Sequence, residues 1–137
     1  MDAASLSHHD SMARSLDIIG EAGIDIVPLY FERFFSEFPE ELAQFHNRQS
    51  SQGTMITQMI TMLLGQAADE GWVPPMMCAQ VTAHYDRGDI ALASYRRSLD
   101  LLVEVLAEAA GPQWDAPQDT AWRTEAERLF AVIARYH

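Results

Sequence analysis

The sequence predicts an all-α chain of roughly seven or eight helices. Three observations lead there. Apolar residues recur three and four apart through most of the 137 residues. No window alternates with period two, so no strand is expected. Helix-starting and helix-stopping residues fall between the periodic segments.

Met12, Leu16 and Ile19 give a first amphipathic helix that ends near Gly20 or Gly23. Asp25 can cap a second, with Pro28 in its first turn, where a missing N–H costs little. That helix carries Val27, Tyr30, Phe31, Phe34, Phe35 and Phe38 and stops before Pro39. PEELAQFH reads as a separate helical turn, and NRQSSQG as a polar loop. TMITQMITMLLGQAA is apolar on almost every face, as in a helix buried on two sides. DEGWVPP breaks it, and Pro74 and Pro75 open a helix that ends at DRGD. Ser94 can cap the next, YRRSLDLLVEVLAEAAG, which Gly111 and Pro112 close. Asp115 and Gln118 resemble a capping box, with Pro117 in the first turn of the last helix.

The length suits one domain over residues 1–137, with residues 1–9 expected to be a flexible tail. The polar, acidic N-terminus does not read as a secretory leader, and no apolar run is long enough to span a bilayer. Cys78 is the one cysteine, so no internal disulfide or cysteine zinc site can form; a cytoplasmic setting is expected. All nine basic residues are arginines, scattered through a chain of net charge −11. Such a surface repels phosphate backbones and anionic membranes, so neither nucleic acid nor membrane is expected as a partner. Most acidic residues are expected on solvated helix faces, and His8, His9 and His137 at flexible ends without a specific task.

No phosphate loop, HExxH or nucleophile elbow is present. The informative residues are Phe31, Phe45 and His84, with the helices that hold them. LYFERFFSEFPEELAQF is similar to the second-helix-to-corner region of bacterial haemoglobins, and AHYDRGDIALASYRRSLDLLVEVLAEAAGPQWDAPQDTAW to their proximal corner and last two helices. His84 lies 39 residues after Phe45 and 11 before Tyr95. Over residues 10–136 the chain therefore resembles the globin family, in the form of the haem domain of flavohaemoglobins.

The resemblance implies a three-over-three helical sandwich that holds haem b, with His84 as the iron ligand. It puts Phe31, Phe34, Phe45, Met55 and Met59 on the apolar walls. Gln80, one turn before His84, stands where the family usually has leucine. Arg87 is placed to reach a propionate, Ile90 to pack on the proximal face, and Tyr95 to begin the following helix. Haem is an apolar disc with two charged edges and one strong axial need, which this residue set matches. The family's distal tyrosine and glutamine fall on Phe31 and Met55, although a helical rotation or one-residue shift would bring Tyr30 into place, and Gln52 and Gln58 flank Met55 by one turn on either side. An apolar distal side implies weak or quickly released oxygen, or a methionine (Met55 or Met59) near the iron. The glutamate that pushes electron density onto iron falls at about His137, and Ala83 offers no hydroxyl to His84.

The expected function is reversible binding of a diatomic gas: oxygen, nitric oxide or carbon monoxide. The alternatives are a nitric-oxide- or peroxide-detoxifying globin with an external electron donor, the chain having no room for a reductase, and a haem-free sensor or interaction module. The chain is expected to act as a monomer or homodimer.

Overall fold

A computed structural model describes residues 7–40, 48–86 and 91–137, apart from the side chains of 48–51 and 84–86. Among the described residues there are six α-helices and no strand: α1 (His8–Glu21), α2 (Ile26–Glu37), α3 (Arg48–Ala67), α4 (Val73–Asp86), α5 (Leu92–Ala110) and α6 (Ala116–Tyr136). A 3-10 turn, Gly111–Gln113, joins the last two. The count is slightly below the expected seven or eight. PEELAQFH begins as a 3-10 turn at 39–40, and its remainder lies outside the described residues. Two layers stack as a three-over-three sandwich: α1, α3 and α4 against α2, α5 and α6. Helix α6 packs on α1, α3, α4 and α5, and α2 lies on α5.

Local chemistry sets most of the ends. Ser7 caps α1 by accepting from the Asp10 N–H at 3.1 Å, and Asp25 caps α2 by accepting from the Val27 N–H at 3.0 Å. Asp115 caps α6 through the Gln118 N–H at 2.9 Å, as expected. The Gln118 side chain, however, donates to the Gln113 carbonyl rather than back to the cap. Two expectations fail here. The segment from Arg48 to Gly53 is the first part of α3, not a loop. Helix α5 begins at Leu92 after Ala91, with no side-chain cap, and Ser94 lies inside it, its carbonyl taking the Ser98 hydroxyl at 2.8 Å. A polar run does not distinguish a loop from a helical turn facing water.

Helices α1 and α3 close with the same device. In each, the N–H two residues past the cap reaches back to the helix (Ile24 to the Ile19 carbonyl, Glu70 to the Gly65 carbonyl), and the residue before it is left-handed. That residue is Gly23 at φ +69° after α1, but Asp69 at φ +57° after α3. Gly20 lies inside α1.

The core runs from Met12 and Ile19 through Tyr30, Leu63, Val73 and Leu102 to Trp122 and Leu129. Three groups of polar atoms are buried within it. The Trp122 indole donates to the Ser15 hydroxyl, which donates to the Gln118 amide oxygen at 2.8 Å. Glu125, fully buried, is bound at 2.7 Å by His8 from α1, at 3.0 Å by Gln66 from α3 and at 2.8 Å by Arg128 from its own helix. Among the described residues no buried side-chain polar atom lacks a partner. Glu125 is thus an exception to the solvated acidic faces expected. His8 has a specific partner and, with His9, belongs to α1 rather than to a tail. Residues 1–6 lie outside the described part.

Tyr30 is the third case. On α2 its ring stacks on Phe34 at 5.7 Å and meets Phe31 edge-on at 5.0 Å, while its hydroxyl donates to the Ser98 carbonyl of α5 at 3.1 Å. Arg97, beside Ser98, forks onto Glu37 at the end of α2 at 2.8 and 3.0 Å. The Arg97 hydrogen bonds hold the Glu37 carboxyl below its ordinary range, and the carboxylates of Glu37 and Glu104 raise the guanidinium still further. Burial pushes the Tyr30 phenol well above its ordinary value of 10.0, against the opposing pull of its hydrogen bond.

Two predictions follow from these contacts. Gly23 has nothing within 4 Å of an added Cβ, so Gly23→Ala tests backbone conformation alone. It should cost about 1 kcal/mol, and Asp69→Gly should gain about 0.5–1 kcal/mol, both read from urea midpoints. At Tyr30, the unfolded chain releases the phenolic proton near pH 10.0 while the folded chain keeps it. Stability contributed by the neutral phenol is therefore complete below that pH and declines above it. Tyr30→Phe should cost about 1 kcal/mol at neutral pH and flatten the loss of stability in alkaline titration.

Candidate functional site

Helices α3 and α4 lie in one layer and meet through the turn at 68–72. Gly65 of α3 packs there directly against Trp72 and Val73; an added Cβ would fall 2.5 Å from the Trp72 ring. Along α3, Ile56, Met62, Leu63 and Gln66 are buried, whereas Met55, Met59, Ile60 and Leu64 are only half-buried, although they pack on the core. Met55 and Met59 are one helical turn apart and form a stripe left partly open. Helix α4 buries Val73, Met77 and Val81 against the rest of the fold, with Cys78 and Gln80 half-covered. His84 lies on the last turn of α4, and its side chain is outside the described residues.

The other candidates divide clearly. Phe31 and Phe34 are buried in α2, 2% and 6% exposed, and belong to the aromatic cluster with Tyr30. Phe45, Arg87 and Ile90 lie outside the described residues. Tyr95 is half-buried in the first turn of α5, and the ring of His137 meets it edge-on at 6.0 Å. His137 therefore has a specific neighbour, contrary to the expectation for a chain end.

The Tyr30 phenol donates to the Ser98 carbonyl of α5, which places its hydroxyl at the α2–α5 seam. Sequence reasoning left the choice between Tyr30 and Phe31 open because neighbouring helical positions differ by only about 100° around the axis.

No trio of histidine, cysteine, aspartate or glutamate side chains able to hold a bare metal ion occurs among the described residues. Haem asks less of the protein, since its macrocycle supplies four of the iron's ligands and a single histidine can complete the proximal side. The donor set suits it. His8 is engaged by Glu125 and His9 lies beside Asp10, while α4 carries His84 on its last turn. The half-buried apolar side chains of α3, and Leu92 and Tyr95 at the start of α5, pack against the core. Among the described residues no helix is long and apolar enough to cross a membrane.

The residues missed in the sequence are polar and internal: Glu125, Gln66, Gln118 and Ser15. The signal was present for two of them. Gln118 and Glu125 share the helical phase of Trp122, Leu129 and Ile133, which is the face α6 turns to the core.

Comparison with known proteins gives one family match. The Globin family model matches residues 29–133, from the first turns of α2 to near the end of α6. No curated protein matches the chain, and no solved structure does. With the match extending over five of the six helices and the layered all-α architecture in agreement, the chain belongs to the globin family.

Proposed function

We propose that the chain binds haem b between α3 and α4, with His84 as the axial iron ligand, and reversibly takes up a diatomic gas on the opposite face. The observation that carries this reading is the position of His84. It stands on the last turn of α4, inside the segment matched by the globin family model, and the preceding helix α3 carries the half-buried pair Met55 and Met59. Globins generally hold haem and bind such gases, and bound iron supplies the gas-coordinating position. The protein supplies the axial nitrogen, apolar walls that exclude water, and Arg87 as a cation for a propionate.

The distal side is the distinctive part of the proposal. Phe31 carries no polar group, and Tyr30, its only phenolic neighbour on α2, is held by Ser98. Bound oxygen is a polar adduct that gains from a hydrogen-bond donor; carbon monoxide gains far less. A pocket walled by Phe31, Met55 and Met59 therefore favours carbon monoxide and releases oxygen quickly.

The test is the absorption spectrum of purified, haem-loaded protein with and without carbon monoxide. An intense Soret band that shifts with carbon monoxide, and is lost or strongly altered in His84→Ala, is the expected result. A haem-loaded protein unaffected by His84→Ala would refute the ligand assignment, and failure to bind haem at all would favour the haem-free reading. Phe31→Tyr should slow oxygen release by about tenfold, the effect of roughly 1.4 kcal/mol from one added donor.

A further inference from the structure

A groove of about 420 Å³ lies between the α3–α4 turn and the last turns of α6, with Val73, Pro74 and Val132 among its apolar walls. Three polar groups on its lining are left unsatisfied by the chain: Gln66, Glu70 and Arg135. Gln66 is only 7% exposed, and its amide nitrogen donates to the Glu125 carbonyl at 2.8 Å and to the Glu125 carboxylate at 3.0 Å. Two acceptors on the nitrogen fix the orientation of the amide, so the oxygen is the atom left over. Among the described residues no buried side-chain polar atom lacks a partner, so this unpartnered oxygen opens on the groove and not into the core. Glu70 and Arg135 are exposed, and neither has an ion-pair partner among the described residues. The remaining charges of the groove are paired: Arg128 lies 3.5 Å from Asp69 and 2.8 Å from Glu125. Glu70 follows Asp69 and so marks the Arg128 end, whereas Arg135 stands two turns farther, about 10 Å along α6.

We infer that this groove binds a small zwitterion, with its ammonium on Gln66 and Glu70, its carboxylate on Arg135 and an apolar body between them. An ammonium carries donors and no acceptor, so one such group satisfies an amide oxygen and a carboxylate together. A guanidinium offers a carboxylate two parallel donors. A simple cation would leave Arg135 unmet, and a simple anion would leave Gln66 and Glu70 unmet. The charges of Asp69, Glu70, Arg128 and Arg135 cancel, so a ligand of no net charge matches the lining, although the whole chain carries −11. Between the two ends, Val73, Pro74 and Val132 give methylene groups a surface away from water. The volume lies within the range of small-molecule sites.

A nuclear magnetic resonance titration of the full chain with ω-amino-octanoate tests this. The amide signals of residues 69–73 and 131–135 should shift together and saturate. Octanoate and octylamine each lack one end group and should bind about fivefold more weakly. The N-trimethyl analogue keeps its positive charge but has no N–H for Gln66, and should weaken by a similar factor. Arg135→Gln should erase the advantage over octylamine, and Glu70→Gln should erase most of the advantage over octanoate. Both positions are exposed, so the fold is not at stake. No saturable shift at the groove would overturn the inference. So would an N-trimethyl analogue that binds as well as its parent, an unaltered preference in Arg135→Gln, or shifts confined to α3 around Met55 and Met59. None of these readouts depends on haem.

Discussion

Everything in the fold leans on α6, and α6 leans on a buried carboxylate. Removing Glu125 from water costs several kcal/mol unless its oxygens are fully bonded. They are: one helix supplies His8, a second Gln66, and the same helix Arg128. The cost of burial is thereby converted into a demand for geometry. α1, α3 and α6 must meet in one register, because any slip leaves an anion without its partners. Apolar packing alone would tolerate small sliding of helices; a charge with three fixed donors does not. The Ser15–Gln118–Trp122 chain repeats the constraint two turns earlier along the same helix, so the α1–α6 contact is specified at both levels.

What could be read without coordinates was local. Asp25 and Asp115 act within three residues of themselves, and both cap as their positions suggest. Apolar period placed the six long helices and their faces. What could not be read depended on partners far along the chain. Nothing near Asp69 signals a left-handed residue, since the usual glycine is absent. Ser94 had the right chemistry for a cap, but its helix starts two residues earlier, and chemistry without position decides nothing. His8 looked like part of a tail because its partner is 117 positions away.

The candidate site shows the same division. The globin resemblance singles out His84 through its spacing from Phe45 and Tyr95, a one-dimensional property of the chain. The polarity of the distal side could not be read this way, because it turns on which of two adjacent aromatic residues faces inward. Tyr30 spends its hydroxyl on a hydrogen bond to α5, a partner 68 positions along the chain that ties α2 to that helix.

Packing strength and site location are linked by this arrangement. The seams that α6 and α5 make with α1, α2 and α3 hold the buried polar bonds, whereas the α3–α4 pair contributes half-buried methionines and a tight turn at Gly65. If α3 and α4 hold haem as proposed, the space between them cannot also be closed by specific side-chain bonds. Concentrating the directional interactions in the other seams leaves the contact between α3 and α4, among the described residues, to close apolar packing such as that of Gly65 on Trp72 and Val73. Methionine suits such a half-buried position, because its flexible thioether adapts to irregular space. Rigidity in the other seams and compliance along Met55 and Met59 are therefore complementary consequences of where the polar bonds lie.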